Sequence, residues 1–347
     1  MHQIPVFAGL GSDALFSERT LGTAAEDART SEGQIILRAC HDIFVKEITS
    51  VIHSQRLPSD IKLEDFVEPE SLIRPQACYQ RNSIIQHVSL YTIQLLRYLR
   101  YSTEKPGVIL GVAGFCAGLL PGAALATSRN TIELLSRGQD FFYVALHVGI
   151  RIESYKQVMM GKETCPPHLP FRRDILQDLR NNILLFSTPL HLIAPLFSNI
   201  DGKPIDSGQL ATLEELCEKL LEMMILEPVN WVAVEDNVLA AIKQPATAVD
   251  ASFEILNFGP GYGISGARYT LPDNVNIVAA SIVEPRPSLQ DTTGMLSSND
   301  IAIVGMGVDL PGASNTDALW QNLAEGVNSC VEVKPNDLKH LPQLLPN

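Results

Sequence analysis

The chain has 347 residues, 46% of them hydrophobic, enough to bury a sizeable core and to build more than one structural unit. Its 39 acidic against 26 basic side chains leave a net charge of −13, which argues against nucleic acid or an anionic membrane as a partner, since both need clustered Lys and Arg. The first residues lack the basic and apolar regions of a secretory signal, so the six scattered cysteines are expected in a reducing, cytoplasmic setting; with no CxxC pair and no partnered histidines, they predict neither a disulfide framework nor a metal site.

In chain order, "IPVFAG" (4–9) reads as a short buried strand and "GLGSD" (9–13) as a tight loop feeding a helix that ends before residue 30. Largely helical segments follow. The clearest is 84–101, with Ile84, Val88, Tyr91, Leu95 and Leu99 near one face. "VILGVAG" (108–114) predicts a fully buried strand, 116–127 a helix, and 130–159 a long helical stretch. Residues 168–186 carry an amphipathic stripe of Phe171, Ile175, Leu179 and Ile183. Residues 195–205 read as a strand and turn, 208–226 as a helix, and 254–266 as a strand ending in a glycine-rich loop. Alternating strands and helices favour an α/β fold with a mostly parallel sheet. Residues 283–300 have the composition of a linker, and 301–326 start afresh with a strand, a loop and a helix.

Residues 106–128 carry no charge and are long enough to cross a bilayer. Five glycines and Pro121 interrupt them, and no basic flank supports a span. A strand turning sharply into a helix explains those glycines better. Gly114 and Gly118 permit the turn and bring helix close to strand, leaving Cys116 at the tip of the elbow. A thiol there sits at the positive end of a helix, which favours its thiolate. The backbone N–H of Ala117 would face an oxyanion, and that of Leu10, in the glycine-flanked turn after the first strand, would be the second donor. The simplest alternative for Cys116 is a small buried hydrophobe.

Among eight histidines, His168 directly precedes a helix, where the dipole keeps the imidazole neutral and able to accept a proton; His191 and His147 stay open as alternatives. "GYGISG" (261–266) fits GxGxxG spacing, but no acidic ribose ligand follows within a βαβ unit, so it reads as a loop lining the site and no bound cofactor is expected.

Taken together, "FAGLGS" (7–12), "GFCAG" (114–118), "PPH" (166–168), "PLFSNIDG" (195–202), "EPVNW" (227–231) and "FGPG" (258–261) resemble an acyltransferase of the malonyl-transferase-like (α/β-hydrolase-like) fold, a parallel sheet core flanked by helices. With Cys in place of the usual Ser, the chain is similar to the starter-unit acyl-carrier-protein transacylase domain of fungal non-reducing polyketide synthases. Residues 301–326 resemble the opening of a β-ketoacyl synthase domain. The resemblance implies a transferase domain over 1–282, a linker over 283–300 and a truncated synthase start over 301–347. It also implies Cys116 as acyl-bearing nucleophile, His168 as base, and Leu10 and Ala117 as oxyanion donors. The substrate would arrive on phosphopantetheine, from coenzyme A or an acyl carrier protein. Partners would be carrier domains of a donor synthase and of the chain's own megasynthase. Malonyl-specific relatives hold the substrate carboxylate with an Arg after the elbow; residues 139–148 are mainly aromatic and aliphatic, with Arg151 just beyond, so an uncharged acyl chain is expected. The short Cys116–His168 interval implies that the family's ferredoxin-like subdomain is reduced or missing. A carrier-docking module without catalysis and a cysteine-dependent thioesterase are the alternative functions.

Overall fold

The computed structural model describes residues 1–10, 13–53, 61–159, 168–182, 189–206, 208, 210–243, 252–259, 263–264, 271, 274–278 and 315–324. The chain divides into two units, Met1–Pro285 and Arg286–Asn347. In the second, one helix is described, Thr316–Ala324; the strand and loop expected ahead of it lie outside the described residues.

The first unit is built on a parallel sheet. β1 (His2–Phe7) lies at its centre and pairs with β4 (Phe253–Phe258) on one side, which pairs with β5 (Val275–Val278). On its other side β1 pairs first with β2 (Val108–Ile109) and then with β3 (Ala113–Gly114). Strand residues alternate between two cores. Ile4, Val6, Phe253 and Ile255 face one with Val234, Val238 and Ile242, while Phe7, Leu256 and Phe258 face the other. Helices cover both faces, which is why β1 and β4 are apolar along most of their length.

The second face carries most of the helices: α1 (Glu18–Asp27), α2 (Ser31–His53), α3 (Ser83–Glu104), α4 (Leu119–Ala126), α5 (Thr131–Met159), α6 (His168–Asn182) and α7 (Leu213–Leu221). α8 (Trp231–Lys243) covers the first. α3 departs from the one-sided stripe expected of it, because α2, α5 and the sheet surround it and sixteen of its residues are buried on all sides. The expected strand over 108–114 is also interrupted. It splits into two short pairings with an exposed Val108, and Gly111 between them packs under the Phe197 ring, where a Cβ would lie 2.6 Å from that ring. Residues 195–205 form isolated bridges, Val112 to Leu196 and Phe197 to Pro204, around a turn at Gly202, where φ is +70°, rather than a strand.

The uncharged run over 106–128 folds back on itself as β2, β3 and α4, and among the described residues no helix is long and apolar enough to cross a membrane. The described residues from Thr131 to Asn182 are all helical, with 160–167 outside them.

Candidate active site

β3 ends at Gly114, and one tight turn, Cys116–Gly118, leads directly into α4. Cys116 sits at the tip with φ of +49°, the left-handed region that a side chain rarely adopts and that costs about 1–3 kcal/mol. Among the described non-glycine residues it alone does so. The turn is held from both sides. Phe115 N–H donates to Phe7 O at 2.9 Å, and Gly118 N–H to Phe115 O at 2.8 Å.

The two glycines of the elbow are required by space. A Cβ on Gly118 would overlap the carbonyl oxygens of Phe7 and Ala8, and one on Gly114 would overlap the Gly118 carbonyl. Gly9 comes equally close, since a Cβ there would lie 2.6 Å from Phe115 O and 3.1 Å from the Cβ of Cys116. Gly9 therefore lies against the cysteine, and half-buried Leu10 follows it in the chain. Phe115, next to the thiol, packs its ring against Trp231, the last residue of "EPVNW". The sequence signal for that contact is an aromatic residue inside the "EPVNW" motif.

Electrostatics differ from the expectation. Burial pushes the Cys116 thiol above its ordinary pKa, and the Ala117 N–H facing the sulfur draws it back only in part. The helix end therefore does not hold a resting thiolate, and attack needs a base. His168 begins α6, and its side chain lies outside the described residues, as do "PP" at 166–167 and "PGY" at 260–262. Asn257 clasps the far end of that last loop, accepting from Ile264 N–H and donating to Ile264 O, both at 2.9 Å.

The other described histidines lie elsewhere. His191 is exposed beside Thr127 and Arg129, past the C-terminal end of α4, roughly 12 Å of helix away from the elbow. His41 Nε2 lies 2.7 Å from Phe66 O and His87 Nδ1 2.7 Å from Ser83 O. His147, left open as an alternative base, is buried between two carboxylates, with Glu47 of α2 at 3.5 Å and Asp178 of α6 at 3.7 Å. Burial alone would lower its pKa, but the two carboxylates outweigh burial and raise it. A raised pKa means that the stabilisation is complete below the ordinary histidine value and disappears as pH climbs through the folded one. Thermal melting between pH 6 and 9 should accordingly show wild type losing a few degrees relative to His147→Gln as pH rises; parallel curves would contradict the clamp.

Each cation of α5 is ion-paired. Arg151 donates to Asp178 at 2.9 and 2.6 Å, Arg137 pairs with Asp140, and Lys156 with Glu153, while Phe141 and Phe142 are fully buried. Among the described residues no cluster of His, Cys, Asp and Glu has metal-binding geometry.

Residues 36–170, which contain both Cys116 and His168, match the family described as the starter unit:ACP transacylase in aflatoxin biosynthesis. Residues 36–170 belong to the starter unit:ACP transacylase family. Downstream of this transacylase segment, residues 298–345 match the N-terminal domain of β-ketoacyl synthases.

Similar curated proteins are an orsellinic acid synthase from Beauveria bassiana, 32% identical over 96% of this chain, and the orsellinic acid synthase ArmB from Armillaria ostoyae, 25% identical over 97%. The chain spans 19% of the length of each. The alignment to the first runs over 416 positions, longer than the chain itself, so that relative holds segments absent here. Among solved structures, the malonyl CoA-acyl carrier protein transacylase from Burkholderia pseudomallei matches at 12% identity and a TM-score of 0.47, covering 75% of this chain and 94% of that one.

Proposed function

We propose that residues 1–282 form a starter-unit acyltransferase domain, joined through 283–300 to the beginning of a condensing domain over 301–347, and that it works through a Cys116–His168 pair. The observation that carries this reading is the left-handed backbone of Cys116 at a strand-to-helix turn, with the Ala117 N–H at its sulfur.

His168 takes the thiol proton as Sγ attacks the carbonyl carbon of an acyl thioester. The carbonyl oxygen gains the negative charge, and the Ala117 and Leu10 amides stabilise it. Collapse breaks the bond to the donor sulfur, His168 returns the proton to the departing thiol, and Cys116 keeps the acyl group. The second half runs the same steps backwards with the pantetheine thiol of a carrier domain as attacker. One thioester replaces another, so the exchange is nearly neutral in energy. Excluding water therefore matters more than driving force.

The paired cations of α5 support an uncharged acyl chain as cargo. Donors would be an acyl carrier protein of another synthase or coenzyme A, and the acceptor the carrier domain of its own megasynthase in the cytoplasm.

Incubation of the chain with neutral and carboxylated acyl-CoA thioesters, then with a holo acyl carrier protein, tests the reading. Neutral acyl groups should load and pass to the carrier protein, with loading lost in Cys116→Ala. Rapid release as free acid would instead indicate a thioesterase, and absence of loading a docking module.

A further inference from the structure

Gln94 interrupts the apolar middle of α3 and is fully buried where that helix passes the ends of β1 and β4. Its Nε2 donates to Ala8 O at 2.7 Å and to Phe258 O at 3.3 Å, the carbonyls that follow one strand and end the other. Ala8 N–H donates to the same Phe258 O at 2.8 Å. A flipped carboxamide would set Oε1 against two carbonyl oxygens, so this orientation is fixed by the network. Oε1 has no hydrogen-bond partner among the described residues.

The backbone on the other side is shaped to the carboxamide. Gly259 has φ of +123°, and a Cβ there would lie 2.5 Å from Nε2 and 2.8 Å from the Ala8 Cβ. Packing alone does not explain such a side chain. An unpaired buried amide oxygen costs about 1–3 kcal/mol, and a methionine of similar length would fill the space without that cost.

We propose that Gln94 is a positioning residue for the oxyanion site. It ties the Ala8 and Phe258 carbonyls together, and through Ala8 it sets the Gly9–Leu10 turn that lies against Cys116. The proposal rests on the transferase reading above, since the Leu10 amide matters only if an oxyanion forms. Misplacing one donor by a fraction of an ångström is enough to slow acyl transfer while leaving substrate binding and the thiol itself alone.

The test compares three quantities in the full chain: single-turnover acylation of Cys116 by an acyl-CoA, alkylation of the Cys116 peptide by iodoacetamide, and Tm. Alkylation uses the same thiol but develops no oxyanion. In Gln94→Met, maximal acylation should fall roughly tenfold to a hundredfold, with KM and alkylation within about twofold of wild type. Gln94→Glu supplies a second arm should the first variant misfold. Its ionised carboxylate repels both carbonyls, whereas the protonated acid donates, so its acylation relative to wild type should recover as pH falls. Equal acylation in Gln94→Met and wild type would overturn the proposal alone. So would acylation and alkylation falling together with Tm, or a Gln94→Glu deficit that pH does not move. A wild type that never acylates overturns the transferase reading, and this proposal with it.

Discussion

His168→Ala is expected to slow acylation of Cys116 by roughly two to four orders of magnitude, the usual contribution of a positioned general base. The expectation follows from the state of the thiol. Burial raises its pKa and the single Ala117 N–H does not compensate, so at neutral pH the sulfur is protonated and a poor nucleophile. Without the imidazole, attack depends on the small thiolate fraction. The residual rate of the variant should therefore climb about tenfold for each unit of pH below the thiol pKa. Stopped reactions read by intact mass give both numbers. Equal rates in variant and wild type would remove His168 from the mechanism; His147, held between Glu47 and Asp178, and His191, beyond the far end of α4, are poorly placed to replace it.

Gly118→Ala is expected to damage fold and chemistry together. φ at Gly118 is −67°, open to any residue, so the cost comes from contact alone. The new methyl would overlap the Phe7 and Ala8 carbonyls, and neither yields easily. Phe7 O accepts from Phe115, and the Ala8 carbonyl from Gln94. Overpacking of this kind costs roughly 3 kcal/mol, a fall in Tm of about 5 °C in a unit of this size. Because α4 must retreat from β1, the Ala117 amide moves off the thiol, and acylation should drop further than the stability loss explains. A variant with wild-type Tm and acylation would show that the elbow does not need the close approach.

The expected strand, elbow and following helices were readable because apolar runs with glycine punctuation leave few alternatives. β1, Cys116 at its turn, and α5 fall where their residues place them. Features set by distant packing were not readable. The stripe on α3 dissolves because neighbours close on every side, and Gly111 breaks a strand only because the Phe197 ring covers it. β5, four residues with a single buried position, carries almost no periodic signal. α8 carries one, in Val234, Val238 and Ile242 at helical spacing. The site followed the same division. Cys116, Ala117, Gly114, Gly118 and Gly9 come together at the elbow, whereas the raised thiol pKa, the Trp231 contact and the Gln94 bridge come from residues far apart in sequence.

The position of the acyl group is the most direct measure of the account. Wild-type protein mixed with a neutral acyl-CoA, quenched in acid within seconds and digested, should carry one acyl group, on the sulfur of the peptide containing Cys116. An acyl group on any other side chain, or none on a folded protein, would contradict it.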